Sequence, residues 1–132
     1  MKVLIVGSSG FLGGWVKKLL IEDNEHEIIE INGKKDLDIT NANSLNEFFL
    51  ENKPEAVINC AAFVGGISYG YKFPAKMLSE NSRMVLNLYQ VSNENNVSLL
   101  VNPISNCAYP GHLDTYKEDN FFDGPPHDSV YN

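Results

Sequence analysis

The chain has 132 residues, 43% of them hydrophobic and 20% charged, and a formal net charge of −7. That length suits one domain with a buried core, and the acidic balance excludes a polyanion-binding surface, which needs a basic stripe. No apolar run approaches the ~20 residues of a membrane helix, and Met1–Val6 is too short ahead of its glycines to be a signal peptide. The chain therefore reads as cytosolic, with neither membrane nor nucleic acid as a partner. Cys60 and Cys107 are too few for a disulfide framework and read as reduced thiols. His26, His112 and His127 are scattered and form no ligand pair, so no metal site is expected.

The first element is an apolar strand, Val3 to Val6, running directly into Gly7-Ser-Ser-Gly10-Phe-Leu-Gly13. Glycine at these three places permits a positive φ, close backbone approach to a pyrophosphate and tight packing of a helix on its strand. Backbone N–H groups at a helix start can then hold phosphates. Position gives the triplet its weight, since it follows a strand and opens a helix. A tight turn that binds nothing is the alternative, but three glycines in register exceed what a turn needs. In the helix, Leu12, Trp15, Val16, Leu19 and Leu20 recur at the spacing of one buried face, with Lys17, Lys18, Glu22 and Asp23 opposite.

His26 to Ile31 reads as a second strand, followed by the loop Asn32 to Asp36, where an adenosine ribose would sit. An acid at this strand end selects NAD, and a cation accommodates the 2′-phosphate of NADP. Glu30 comes slightly early and Lys34 and Lys35 follow, which favours NADP with Lys34 or Lys35 as phosphate partner and leaves NAD as the alternative; the lysines could also simply solvate the loop. Ser44 to Leu50 reads as a short helix and Glu55 to Asn59 as a third strand buried on both faces. Pro74 to Asn93 reads as a long helix and Val97 to Val101 as a fourth strand, with loop-like sequence after Tyr109. The long helix carries Asn81 inside its apolar stripe of Met77, Met84, Leu88 and Val91. Such an amide either bonds to backbone in the core or helps shape a cofactor cleft. Strands alternating with helices imply an α/β fold: a Rossmann-type doubly wound parallel sheet with ligands over the carboxyl ends of its strands.

Asn59-Cys-Ala-Ala-Phe-Val-Gly-Gly-Ile67 and Ser105-Asn-Cys-Ala-Tyr-Pro110, with the three glycines, resemble the extended short-chain dehydrogenase/reductase family of nucleotide-sugar enzymes, most of all its GDP-L-fucose synthase group. The likeness runs over nearly the whole chain in one order. It implies a nicotinamide-dependent epimerase/reductase acting on a nucleotide-linked 4-keto-6-deoxy sugar. By that likeness the cofactor is held by Gly7, Ser9, Gly10, Phe11, Leu12 and Gly13, with Asp38 and Ile39 bordering the adenine and Ala61, Ala62 and Val64 on the ribose side. Ser105 would be the hydroxyl that bonds the substrate's keto oxygen, and Cys107 the thiol that exchanges a proton at the epimerised carbon. Apart from the resemblance, Ser105 reads as a strand-capping hydroxyl and Cys107 as a small buried hydrophobe.

The sequence also departs from the family's pattern. Asn102-Pro103-Ile104 replaces an apolar-Gly-Ser lead-in, and proline there suggests a bulge in the fourth strand. These enzymes use a Tyr-x-x-x-Lys pair, and Tyr109, Tyr116 and Tyr131 all lack that spacing. The approach from Asp123 onward places the family's Tyr immediately after Asn132. The chain is thus expected to be the amino-terminal part (1–132) of a dinucleotide-binding domain whose sheet is incomplete on its C-terminal side, inactive alone, and homodimeric through the long helix when complete. An NAD-dependent nucleotide-sugar 4-epimerase or 4,6-dehydratase, and a non-catalytic dinucleotide sensor, remain the alternatives.

Overall fold

Four strands make one parallel sheet in a computed structural model that describes residues 1–126; His127 and Tyr131, named above, lie outside the described residues. The elements run β1 (Lys2–Val6), α1 (Phe11–Asp23), β2 (Glu27–Ile31), α2 (Ala42–Asn52), β3 (Ala56–Asn59), α3 (Ile67–Lys72), α4 (Pro74–Glu94) and β4 (Leu99–Val101). Strand order is β2-β1-β3-β4, so the chain reverses direction across the sheet between β1 and β3. Register pairs Val6 with Ile31 on one side and with Asn59 on the other, bringing three strand ends level. With helices on both faces, this is the doubly wound Rossmann-type arrangement.

Alternation along each strand assigns the faces. Leu4, Val6, Ile31 and Val57 pack with Leu45 and Phe49 of α2 and Leu88 and Val91 of α4 into one buried cluster. Val3 and Ile5, equally buried, point to the side of α1. Asn41 caps α2 by accepting the N–H groups of Asn43 and Ser44 at 3.1 and 3.2 Å. Lys53 and Asn96 then end α2 and α4 with φ of +50° and +56°.

Two expectations are corrected here. The apolar side of α1 is not a buried face: Leu12, Trp15 and Leu19 are 46%, 53% and 61% exposed, and only Gly13 of this helix is buried. The helix meets the sheet along Gly13, Val16, Lys17 and Leu20, so the larger apolar residues lie on its flank. No bulge forms at Pro103, because β4 stops at Val101 before a residue with no N–H enters the ladder. α3 is a short helix in addition to the elements expected from the sequence, whose ends differ from the observed ones by one or two residues.

The chain forms two compact units, one of Met1–Val64 with Ala75–Asn102, the other of Gly65–Pro74 with the chain from Pro103 onward. In the second unit, Tyr109 lies between Tyr116 and Phe121 at ring-centroid distances of 5.1 and 5.0 Å. A bridge between Pro110 and Pro126, with Gly111 N–H donating to the Pro125 carbonyl at 3.1 Å, closes its loop. No helix of the described residues is long and apolar enough to cross a membrane, and no group of three or more metal-ligating side chains occurs among them.

Candidate functional site

The first unit carries a cleft of about 300 Å³ at the carboxyl ends of β1, β2 and β3. Its floor is the turn after β1. Gly7 has a φ of +79°, and a Cβ there would lie 2.9 Å from the backbone of Ala61, so this turn and the β3 strand end approach as only glycine allows. A Cβ on Gly13 would lie 2.1 Å from the Gly7 carbonyl oxygen. Gly13 is therefore what lets α1 start close against the turn. Gly10 caps α1 with extended backbone and no side-chain bond, its N–H donating to Gly7 at 3.0 Å. The helix start thus faces the cleft without a side chain over it, the geometry of a phosphate cradle.

The second wall is the segment after β2. Ser8 Oγ donates to Asn32 Oδ1 at 2.7 Å and Ser9 Oγ to the Asn32 carbonyl at 2.6 Å, tying the glycine turn to the end of β2. Lys34, Asp38, Ile39 and Thr40 line the cleft beyond it. Asp38 Oδ1 accepts both the N–H and the hydroxyl of Thr40, at 3.1 and 2.7 Å, while Oδ2 lies 3.0 Å from Lys34 Nζ. The Thr40 hydroxyl first, and then Lys34, hold the Asp38 carboxyl below its usual range. Lys34 is correspondingly raised by Asp38. Glu30 does not reach the cleft. Strand alternation sends it to the α1 side, where Lys17 Nζ at 2.8 Å holds its carboxyl low.

Cys60, Ala61, Ala62 and Phe63 form the third wall. Asn81 fixes this wall from α4: its Oδ1 accepts Phe63 N–H at 2.8 Å, and its Nδ2 donates to the carbonyls of Phe63 at 2.8 Å and Met77 at 2.9 Å. The two readings of Asn81 merge, since the amide that satisfies backbone also shapes the cleft. Asn59 Oδ1 likewise accepts Ala61 N–H at 3.0 Å. Burial pushes the Cys60 thiol up, so it stays protonated beside the cleft.

Of the residues assigned to a cofactor from sequence, Gly7, Ser9, Gly10, Lys34, Asp38, Ile39, Ala61 and Ala62 line this one cleft. Phe11 and Leu12 are not among the lining residues and are 88% and 46% exposed, Gly13 is packed beneath the turn, and Val64 is 75% exposed. Asn32, in the loop expected to meet the ribose, also lines the cleft, as do Thr40, Phe63 and Glu80, which the sequence did not single out. Glu80 had one available signal, its place next to Asn81 in the helix. Ser105 and Cys107 belong to the second unit. There Ser105 caps a 3-10 turn, its Oγ accepting Cys107 N–H at 3.2 Å, and Cys107 Sγ lies 3.7 Å from Asn106 Oδ1.

The profile of the NAD dependent epimerase/dehydratase family matches residues 3–131. The chain belongs to that family. It is 32% identical over 117 residues to the GDP-L-colitose synthase of Yersinia pseudotuberculosis, covering 87% of this chain and 37% of that protein. It is 31% identical over 132 residues to a probable GDP-L-fucose synthase of Drosophila melanogaster, covering 98% of this chain and 41% of that protein. Among solved structures, a GDP-mannoheptose C4 reductase from Campylobacter jejuni with NADP bound superposes with a TM-score of 0.87 at 27% identity, over 98% of this chain and 38% of that one. The chain thus spans about two fifths of the length of the curated relatives it matches.

Proposed function

We propose that the chain is the amino-terminal, dinucleotide-binding part of a nucleotide-sugar epimerase/reductase that acts on an NDP-linked 4-keto-6-deoxy sugar. The observation that carries this reading is the cleft at three strand ends, floored by glycines that a Cβ would fill and walled by Asp38, Ala61 and Ala62. Its residues fit a dinucleotide: Gly7 to Gly10 hold the pyrophosphate, Asp38 and Ile39 border the adenine, and Ala61 and Ala62 leave room for a ribose. NADP is the preferred cofactor, with Lys34, the one cation among the described lining residues, as partner of the 2′-phosphate. The NADP-bound reductase of similar fold supports that choice.

A nicotinamide dinucleotide held by Gly7 to Gly10, Asp38, Ile39, Ala61 and Ala62 would supply the hydride for reduction of a keto group. Ser105 donates a hydrogen bond to the keto oxygen as negative charge develops on it. Its Oγ already accepts from Cys107 N–H, so the hydroxyl proton points elsewhere and can be given. Cys107 exchanges the proton at the epimerised carbon. No Tyr-x-x-x-Lys spacing occurs in these 132 residues, so the proposed role of the chain by itself is to bind cofactor without turnover, with a homodimer as the proposed assembly of the enzyme.

Titrating the chain with NADPH, followed by nucleotide fluorescence, tests the binding part; absence of saturable binding refutes it. In a protein that joins this chain to a Tyr-x-x-x-Lys segment, Cys107→Ser is expected to abolish solvent deuterium uptake at the epimerised carbon while reduction of an already epimerised 4-keto sugar continues. Ser105→Ala is expected to slow reduction itself. Loss of both steps in the Cys107 variant, or of neither, refutes the assigned roles.

A further inference from the structure

The adenosine end of the cleft is not simply a basic site. Lys34 Nζ sits 3.0 Å from Asp38 Oδ2 and 4.0 Å from Glu80 Oε2, and all three side chains line the same cleft. One ammonium faces two carboxylates, so the group of three carries a net negative charge. Asp38 is held in place by Thr40 through two hydrogen bonds and has a structural reason to be there. Glu80 has no such role in the strand-end loop. It reaches in from α4, one residue before the Asn81 that anchors the cleft wall, and its side chain is 27% exposed.

A ribose 2′-hydroxyl is neutral and makes no claim on Lys34, whereas a 2′-phosphate brings about two negative charges and needs Lys34 for itself. To bind, it must compete with Glu80 for the ammonium and tolerate a carboxylate beside it. We infer that Glu80 is a specificity-determining residue of this cleft: by competing for Lys34 it restrains binding of the 2′-phosphorylated dinucleotide and leaves the unphosphorylated one untouched. This rests on the nucleotide-binding reading above and adds a term to it that the strand-end residues alone do not contain. The chain accordingly prefers NADPH less strongly than one unopposed lysine would dictate.

The test compares NADPH and NADH, which differ only in the 2′-phosphate, by fluorescence titration of the chain and of Glu80→Gln and Glu80→Asp. Removing one charge at this range, at a partly solvated site, is expected to tighten NADPH about three- to tenfold at low salt with NADH unchanged. The gain should shrink at about 0.3 M salt, where exposed charges are screened, a response that a change of shape would not give. Glu80→Asp keeps the charge and should keep a ratio near that of the wild type. An unchanged or lowered NADPH-to-NADH affinity ratio in Glu80→Gln overturns the inference while nucleotide binding stands. Failure of the wild-type chain to bind either nucleotide overturns both.

Discussion

Gly13 and Gly14 are neighbours on α1, yet adding one methyl group to each should move the protein in opposite directions. A Cβ on Gly14 would meet nothing closer than the Ser8 carbonyl oxygen at 3.8 Å, an ordinary contact. Gly14→Ala therefore keeps only the helix-propensity gain of alanine over glycine, about 1 kcal/mol. On Gly13 the same atom would lie 2.1 Å from the Gly7 oxygen and 2.8 Å from both Gly7 C and Ser8 Cα. All three are backbone atoms of the turn that floors the cleft, so no side chain can rotate aside. Overpacking ordinarily costs about 1–3 kcal/mol, and a contact this short against backbone belongs at or above the upper end. After the propensity gain, Gly13→Ala should lose about 2 kcal/mol. For a protein of this size, 1 kcal/mol corresponds to about 3–6 °C in melting temperature. The two variants should thus melt roughly 10 °C apart or more. NADPH titration provides the second readout: unchanged in Gly14→Ala, and weakened in Gly13→Ala because the clash lifts the helix start away from the turn. Equal melting temperatures, or a Gly13 variant that binds NADPH normally, would refute the claim that Gly13 sets the distance between helix and turn.

Asn81→Leu removes three side-chain bonds to backbone, two of them to Phe63, while keeping the branching and the number of side-chain heavy atoms; a loss of about 2–4 kcal/mol is expected in urea denaturation, with weaker NADPH binding as the Phe63 wall loosens. A melt indistinguishable from wild type would show that the wall is held by other means. The pH dependence of stability follows from the hydrogen bonds and ion pairs of Glu30, Asp38 and Lys34. Glu30 and Asp38 have lowered folded-state values, so their contributions are complete above the ordinary carboxylate range and fade as the pH falls below about 4. Lys34 is raised, so its contribution is complete below the ordinary lysine value and fades above about pH 10.5. Urea midpoints measured across pH should show both limbs, and Glu30→Gln should flatten part of the acid one; an acid limb that this variant leaves unchanged would exclude the Lys17–Glu30 pair as a contributor.

The parts of this protein that were legible in its sequence are those whose constraint is local. A strand, a positive-φ turn and a helix start follow one another in the first residues, and the positive φ of Gly7 and the contact of Gly13 with the Gly7 carbonyl both arise within that short stretch. Asn81 could be singled out because a polar side chain interrupts a helical apolar stripe, and a buried amide must find partners. The alternation of strands and helices was likewise enough to expect a parallel sheet with its cleft at the strand ends.

Other features were decided only by the tertiary structure. Helical spacing says that Leu12, Trp15 and Leu19 share a side of α1, but not what lies over that side, and here they are largely exposed while Gly13 makes the close contact. Pro103 reads as a flaw within a strand until the sheet shows the strand already finished at Val101. The charge around Lys34 depends on Glu80, which α4 brings to the strand-end loop from far along the chain. A residue's type and periodicity determine what it can bond to and which neighbours share its face. Which distant carboxylate meets a given ammonium is determined when the helices dock, because Coulomb interaction acts through space and is blind to the chain between.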